Sequence, residues 1–348
     1  MLEREIATLV KEDDAGRDNG LAARPARMED AAAVTEVLNA CAIELIGHPT
    51  WETAELALEW QSPTLDLAKD SLLVETADGR VVGYADVWDQ EPHVRIYSMG
   101  RVHPAFRGRG IGTLLGRWLE ERARRSVEAA PAGSRVTLLQ HTLVSDAPAL
   151  ELLRGTGFEV IRYSYQMKIE MEGPPPEPVA PAGILIRPFV RHEEEEAVLR
   201  ADEEAFKDHW GYVERPFEDG LKETLYWMEN DPHFDPSLWF VAMDGDEIAG
   251  VALCYPRQVE DPEMGWVSSL GVRRRWRRQG LGLALLRHSF GEFYRRGKRS
   301  VGLGVDAQSL TGATRLYERA GMHVQRQYAN LEKELRAGAE LSTQRVQN

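Results

Sequence analysis

The feature that most constrains the fold is an internal duplication. Arg24-Pro25 and Arg187-Pro188 open two stretches that then keep step. The turn at Asp78-Gly79, leading through Arg80, Val81 and Val82 to Gly83, matches Asp244-Gly245 and the stretch to Gly250. Arg107-Gly108-Arg109-Gly110-Ile111-Gly112 matches Arg277-Arg278-Gln279-Gly280-Leu281-Gly282, and Gly157-Phe158 matches Gly321-Met322. The offset stays between 163 and 170 residues. A repeat this long is a duplicated domain, not a solenoid unit. A length of 348 residues accommodates two such domains. Between the copies, residues 172–183 read EGPPPEPVAPAG, proline-rich and poor in large apolar side chains, as an extended linker is. The expected layout is a tail over 1–20, an N-terminal domain over 21–171, the linker over 172–183, a C-terminal domain over 184–336 and a tail over 337–348.

Each copy reads alike. A short strand precedes two helices, over about 29–62 and 191–230. Strands follow near 71–76, 80–89 and 94–102, and near 238–243, 247–256 and 264–272. The Asp-Gly turns make hairpins of the first two strands in each set. A glycine loop then opens a long helix. Ile111, Leu114, Leu115, Trp118 and Leu119 fall at helical spacing on one face. The expected fold is α/β, with two tandem domains, each a mixed, mostly antiparallel central sheet flanked by helices.

A strand that runs into Arg-x-x-Gly-x-Gly and then a helix is a device for holding phosphate. The first-turn amides of a helix have no internal partner, and the helix dipole adds partial positive charge there. Glycine lets the backbone approach the anion, and arginine supplies charge and planar donors. One such pattern is weak; two at matching positions in matching contexts are not. A dinucleotide-binding fingerprint is disfavoured, because these loops follow several strands and lack the acidic residue about 20 positions on.

With Val102-His103-Pro104 before Arg107, Gly110 and Gly112, and Val272 before Arg277, Gly280 and Gly282, both halves resemble the GNAT superfamily of acetyl-CoA-dependent N-acetyltransferases. The resemblance covers about 22–171 and 184–334, and the tandem arrangement is similar to that of mycothiol synthases. It implies acetyl-CoA as co-substrate. Leu270, Val272, Arg277, Arg278, Gln279, Gly280, Leu281 and Gly282 would bind it in the second copy, with Ser309 where the family often has asparagine. Serine there serves equally well as a helix cap. In the first copy the binding residues would be Val102, Arg107, Gly108, Arg109, Gly110, Ile111 and Gly112.

Acetyl transfer to an amine needs a base for the amine, a polarised carbonyl and an acid for the departing thiolate. By the resemblance the acid is a tyrosine in the last short helix. Tyr317, in Leu316-Tyr317-Glu318-Arg319-Ala320-Gly321, matches that pattern, and Leu153 holds its place in the first copy. The alternative for Tyr317 is a packed core tyrosine. Two base candidates stand beside it. Glu263 begins the strand before the second loop, with a solvated hairpin charge as its alternative. His209, in Asp208-His209-Trp210-Gly211-Tyr212, lies in the stretch that lines the acceptor pocket in the family. The expected reaction moves acetyl from acetyl-CoA to a primary amine of a small molecule, in the C-terminal domain; the alternative is a non-catalytic acyl-CoA-binding or regulatory protein.

A formal net charge of −14 argues against a nucleic-acid partner, despite the run Arg273-Arg274-Arg275-Trp276-Arg277-Arg278. No apolar stretch has the length of a membrane span or a signal peptide. Cys41 and Cys254 lack metal or disulfide spacing and read as buried free thiols, so a cytoplasmic location and a metal-free site are expected. The assembly expected is a monomer or weak dimer.

Overall fold

The structure, a computed structural model, describes residues 20–345 with the exception of residue 260. The expected N-terminal tail therefore lies outside the described residues, Gly20 apart. The first of two compact units runs through Ile161 and takes in Ala329–Leu341; the second comprises Arg162–Tyr328 and the stretch from Ser342.

The first unit holds β1 (Leu21–Arg24), α1 (Ala31–Ile46), α2 (Thr53–Trp60), α3 (Leu67–Asp70), β2 (Ser71–Thr76), β3 (Val81–Trp88), β4 (Arg95–Val102), α4 (Ile111–Ser126), β5 (Val136–Leu143) and α5 (Ala147–Gly155). β6 (Glu159–Glu170) begins there and passes into the second unit. The second unit holds β7 (Ile184–Pro188), α6 (Glu195–Phe206), α7 (Phe217–Asn230), β8 (Trp239–Asp244), β9 (Glu247–Tyr255), β10 (Met264–Val272), α8 (Leu281–Arg295), β11 (Ser300–Asp306) and α9 (Ala313–Arg319). β12 (His323–Arg336) begins in the second unit and ends in the first.

The pairing within each unit follows one scheme. In the first, β1–β2, β2–β3 and β3–β4 are antiparallel and β4–β5 is parallel. In the second, β7–β8, β8–β9 and β9–β10 are antiparallel and β10–β11 is parallel. One parallel pair among antiparallel ones gives the mixed, mostly antiparallel sheet that the sequence predicts, with helices against it. The strand limits near both hairpins agree with the sequence to within about a residue or two.

The layout differs from expectation at the last strand of each unit. Residues 164–170 of β6 pair antiparallel with 306–300 of β11, inside the second unit. In the first unit the neighbour of β5 is β12. Arg135 there binds Glu332, Glu334 and Glu340, and Arg336 donates to the carbonyls of Val127, Pro131 and Ser134. An open strand edge beside the parallel pair would leave a row of unpaired amides and carbonyls. Each unit closes that edge with chain from the other half of the sequence. The boundaries at 171 and 336 accordingly give way to boundaries at 161 and 328. Nor is 337–345 a loose tail. Ala339 exchanges backbone hydrogen bonds with Gly133 and Arg135, and Thr343 does so with Gly211 and Tyr212. The proline-rich stretch between Glu170 and Ile184 carries no helix or strand and lies within the second unit.

The cores sit between sheet and helices. Phe240, Phe290, Phe293 and Leu285 anchor one in the second unit; Val34, Leu56, Trp60 and Tyr84 anchor one in the first. Both cysteines are buried free thiols, as their spacing predicts. No described helix is long and apolar enough to cross a membrane.

Candidate active site

In the second unit β10 and β11 run side by side only from Met264 opposite Ser300 to Val267 opposite Leu303. Beyond that point β10 continues to Val272 against β9 alone. The β9–β10 register also slips between Val267 and Ser269, which makes Ser268 a bulge. A bulge bends its strand and re-aims the groups beside it. In the first unit β4 and β5 part similarly after Tyr97 and Leu139, yet the β3–β4 register runs unbroken from Gly83 opposite Val102 to Trp88 opposite Tyr97. The two copies share the parted strands and differ in the bulge.

After Val272 a 3-10 turn over Arg274–Trp276 leads into the glycine loop. Gly280 caps α8 with φ +87°, and Gly110 caps α4 with φ +81°. A side chain at either position would be strained in this left-handed region. The first backward bonds reach the cap carbonyls from Ala284 at 3.1 Å and from Leu114 at 3.0 Å. The amides before them, at Leu281, Gly282 and Leu283 and at Ile111, Gly112 and Thr113, face out of the helix. Gly282 and Gly112 are needed for close approach. A Cβ on Gly282 would stand 3.0 Å from Leu316 Cδ1, and one on Gly112 would stand 2.8 Å from Leu152 Cδ2. Leu316 and Leu152 are thus equivalent in space, and so are Tyr317 and Leu153 beside them.

The loops therefore fit a pyrophosphate: open amides, a glycine cap and a helix of 15 or 16 residues behind them. Beside them Leu270 and Val272 lie on the stretch of β10 that has left β11. The four loop arginines divide into two tied within the protein and two exposed. Arg277 donates to Asp208 at 2.6 Å, to the Val272 carbonyl at 2.9 Å and to the Ala205 carbonyl at 3.0 Å. It ties α6 to β10. Arg107 pairs with Glu44 at 2.5 Å. Both are held by partners within the protein. Arg278 instead is exposed, has no partner among the described residues and adopts φ +62°, where the first unit has Gly108 at +74°. Holding a non-glycine residue there costs roughly 1 kcal/mol or more. Arg109 is exposed in the first loop, its guanidinium 4.8 Å from the Phe106 ring. Gln279 donates to the Arg275 carbonyl at 3.2 Å.

Most of the basic run is paired with carboxylates. Arg273 pairs with Glu204, Arg274 and Arg277 with Asp208, and Arg275 with Glu247. Asp208 is only 3% exposed. Burial alone would raise its carboxyl; the two guanidinium partners outweigh burial and hold it below the ordinary range.

Tyr317 projects from α9 into the core, 7% exposed. Burial pushes its phenol up to about 12. Its hydroxyl has no hydrogen-bond partner among the described residues, yet it is not one of the sealed, unpartnered polar atoms, so it reaches open space. It is both a core tyrosine and an available donor. Ser309 accepts from the Ala313 amide at 3.3 Å and contacts Thr311, so it serves the start of α9. His209 stacks on Phe206 with centroids 4.2 Å apart. Burial, assisted by the charge of Arg277, lowers its ring below the usual range and leaves it neutral. Near it Arg162 binds Asp306 at the end of β11 and lies over the Trp210 ring at 4.6 Å.

Glu263 is misplaced for catalysis. It is exposed in the turn before β10, its amide bound to Asp261. Six residues of strand separate it from Ser269, roughly 20 Å. The carboxylate that does stand at the bulge is Asp202, on α6. Ser269 Oγ donates to Asp202 Oδ1 at 2.5 Å, and a Cβ on Gly271 would lie 3.3 Å from the same oxygen. Burial pushes its carboxyl up to about 6, although the residue keeps some exposure. A desolvated group that still touches solvent lines a recess. Sequence reasoning passes over Asp202 because it sits in an acidic helix; the available signal is its spacing, three residues before Ala205 on the face that buries Val198 and Ala201.

A sheet whose one parallel pair parts beside a glycine-capped helix N-terminus, twice in a chain, is the arrangement expected of an acyl-CoA-dependent transferase. The family description "Acetyltransferase (GNAT) family" matches residues 32–158 and 202–322, and the chain belongs to that family. By family it is an acetyl-CoA-dependent acetyltransferase. It is 33% identical to a mycothiol acetyltransferase of Geodermatophilus obscurus over 301 residues, 83% of this chain and 90% of that one. A GCN5-related N-acetyltransferase from Sphaerobacter thermophilus, of known crystal structure, matches at 38% identity and TM-score 0.77, covering 93% of this chain and 98% of its own. A tandem GNAT protein from the clavulanic acid biosynthesis pathway shares the fold at TM-score 0.65 and 16% identity, over 90% and 98% of the two chains.

Proposed function

We propose that the chain acetylates the primary amine of a small molecule, with acetyl-CoA as donor and the active site in the second unit. The observation that carries this reading is the coincidence, in that unit, of the Ser268 bulge, the Asp202 carboxylate beside it and the Tyr317 hydroxyl. The first unit has Leu153 in place of Tyr317 and an unbroken register in place of the bulge.

In this reading the loop amides of residues 279–282 and the side chain of Arg278 hold the pyrophosphate, and the parted stretch of β10 orients the acyl group. The amine nitrogen bonds to the acyl carbon and the carbon–sulfur bond breaks. Asp202, ionised above its raised value, takes the proton from the amine. Tyr317 gives its proton to the departing sulfur, and its high value keeps that proton in place throughout the neutral range. His209 and Trp210 form a wall of the acceptor recess.

The test is release of free thiol from acetyl-CoA in the presence of an amine panel that includes the acceptor of the mycothiol acetyltransferases. Turnover with at least one amine is expected, and Tyr317→Phe should lower it without weakening acetyl-CoA binding. Tight acetyl-CoA binding with no turnover on any amine would support a regulatory acyl-CoA binder instead.

A further inference from the structure

The stretch Asp208-His209-Trp210-Gly211-Tyr212 lies between α6 and α7 in neither helix nor strand. A loop without a ladder of its own must find partners for its amides and carbonyls elsewhere. Some are local: the His209 amide donates to the Phe206 carbonyl at 2.8 Å, and the Tyr212 amide to the His209 carbonyl at 3.2 Å. Others come from a segment far later in the chain that also belongs to the second unit. The Gly211 amide donates to the Thr343 carbonyl at 2.7 Å, and the Thr343 amide to the Tyr212 carbonyl at 2.8 Å. Thr343 Oγ1 donates to the Lys207 carbonyl at 3.0 Å. Gln344 accepts from Trp210 Nε1 at 3.0 Å and donates through Nε2 to the hydroxyl of Ser342 at 2.8 Å. Ser342 is itself buried. Residues 342–344 thus lie across the loop as a strap, where the sequence reads only as a tail.

The loop beneath the strap is anchored on both sides of the parted strands. Toward β10, Asp208 pairs with Arg274 and Arg277, and the Tyr212 hydroxyl donates to Glu203 of α6 at 2.8 Å. Toward β11, the Arg162 guanidinium lies 4.6 Å from the Trp210 ring and binds Asp306 and the Gln308 carbonyl. Trp210 therefore links the α6 side of the recess to the end of β11. Arg162 on the ring face and Gln344 on the indole N–H together fix its tilt and its rotation. A rigid aromatic wall decides which molecules a recess admits.

We propose that residues 342–344 are a positioning strap for the acceptor recess. Thr343 holds the backbone of the loop and Gln344 sets the indole of Trp210, so the two determine how tightly an acceptor is held and take no part in binding acetyl-CoA. The place of Trp210 in an acceptor recess rests on the acetyl-transfer reading; the strap itself does not.

Two readouts on the same variants test this: hydrogen exchange over residues 207–216 by mass spectrometry, and thiol release with the amine and acetyl-CoA varied in turn. A chain ending at Leu341 should exchange the Gly211 amide about tenfold faster while peptides from α8 and β11 stay as protected as in wild type. Its KM for the amine should rise about tenfold, with the KM for acetyl-CoA unchanged. Gln344→Ala, which keeps the backbone bonds of Thr343, should raise the KM for the amine and leave exchange unaltered. Thr343→Pro, which removes the amide donor, decides by exchange should the shortened chain fold poorly. Unchanged protection of residues 207–216 in both backbone variants overturns the strap, whether or not any amine is turned over. An unchanged KM for the amine, or a raised KM for acetyl-CoA, overturns its positioning role. Wild type that turns over no amine counts against the acetyl-transfer reading instead, and exchange alone then decides the strap.

Discussion

At the scale of residues, the two copies differ by a handful of side chains that decide their chemistry. Tyr317 and Leu153 occupy equivalent places, and only the phenol can give up a proton. Tyr317→Phe removes the acid while keeping the packing of the ring. It should lower kcat by about 10²-fold, the low end for general acid catalysis, and leave the KM for acetyl-CoA unchanged in steady-state assays. An unaltered kcat would remove Tyr317 from the mechanism. Asp202 works in the opposite sense. Its raised value means that the basic form is lost as pH falls through about 6. The profile of kcat/KM should therefore break near pH 6, and Asp202→Asn should abolish that break and most of the activity; a break that persists in the variant would assign the base elsewhere. Tyr317 was legible in sequence because its helix carries a pattern of its own. Asp202 was not, because its meaning depends on α6 lying over the bulge of β10, a relation between residues 67 positions apart. Arg277 is the converse case. The loop pattern marks it, but a pattern does not say what an arginine faces, and here it faces Asp208 and two carbonyls.

At the scale of elements, the strand–loop–helix junction is the part most nearly dictated by sequence. Glycine at the cap, glycine two residues on and an apolar stripe behind them specify where α4 and α8 begin and which face they bury. Ile111, Leu115, Trp118 and Leu119 are buried as the spacing predicts, while Leu114 is half-buried. The cap conformation is what Gly280 supplies. Gly280→Ala places a methyl group where nothing lies within 4 Å, but at φ +87°. The cost should be about 1–2 kcal/mol of stability, read by denaturant unfolding, with no overpacking to add to it. A loss several times larger would show that the loop is packed rather than open. The bulge at Ser268 lay beyond sequence reading, since no residue type demands it and only the β9 register reveals it.

At the scale of the whole molecule, the duplication was plain in the sequence but the closing of each sheet was not. The strand that covers β11 comes from residues 164–170, well over a hundred positions earlier, and no local pattern carries that pairing. What duplication then allows is divergence. One copy joins Arg278, exposed and without a partner among the described residues, to Tyr317 and Asp202; the other keeps a similar loop with Leu153 in the place of the tyrosine. The division of labour between the loops is tested by reversing the charge of the exposed arginine in each, Arg278→Glu and Arg109→Glu, and measuring the KM for acetyl-CoA by thiol release. Neither side chain is part of a core, so folding should be spared. The account predicts a KM about tenfold higher for Arg278→Glu and unchanged for Arg109→Glu. An equal rise in both, or a rise in Arg109→Glu alone, would contradict it.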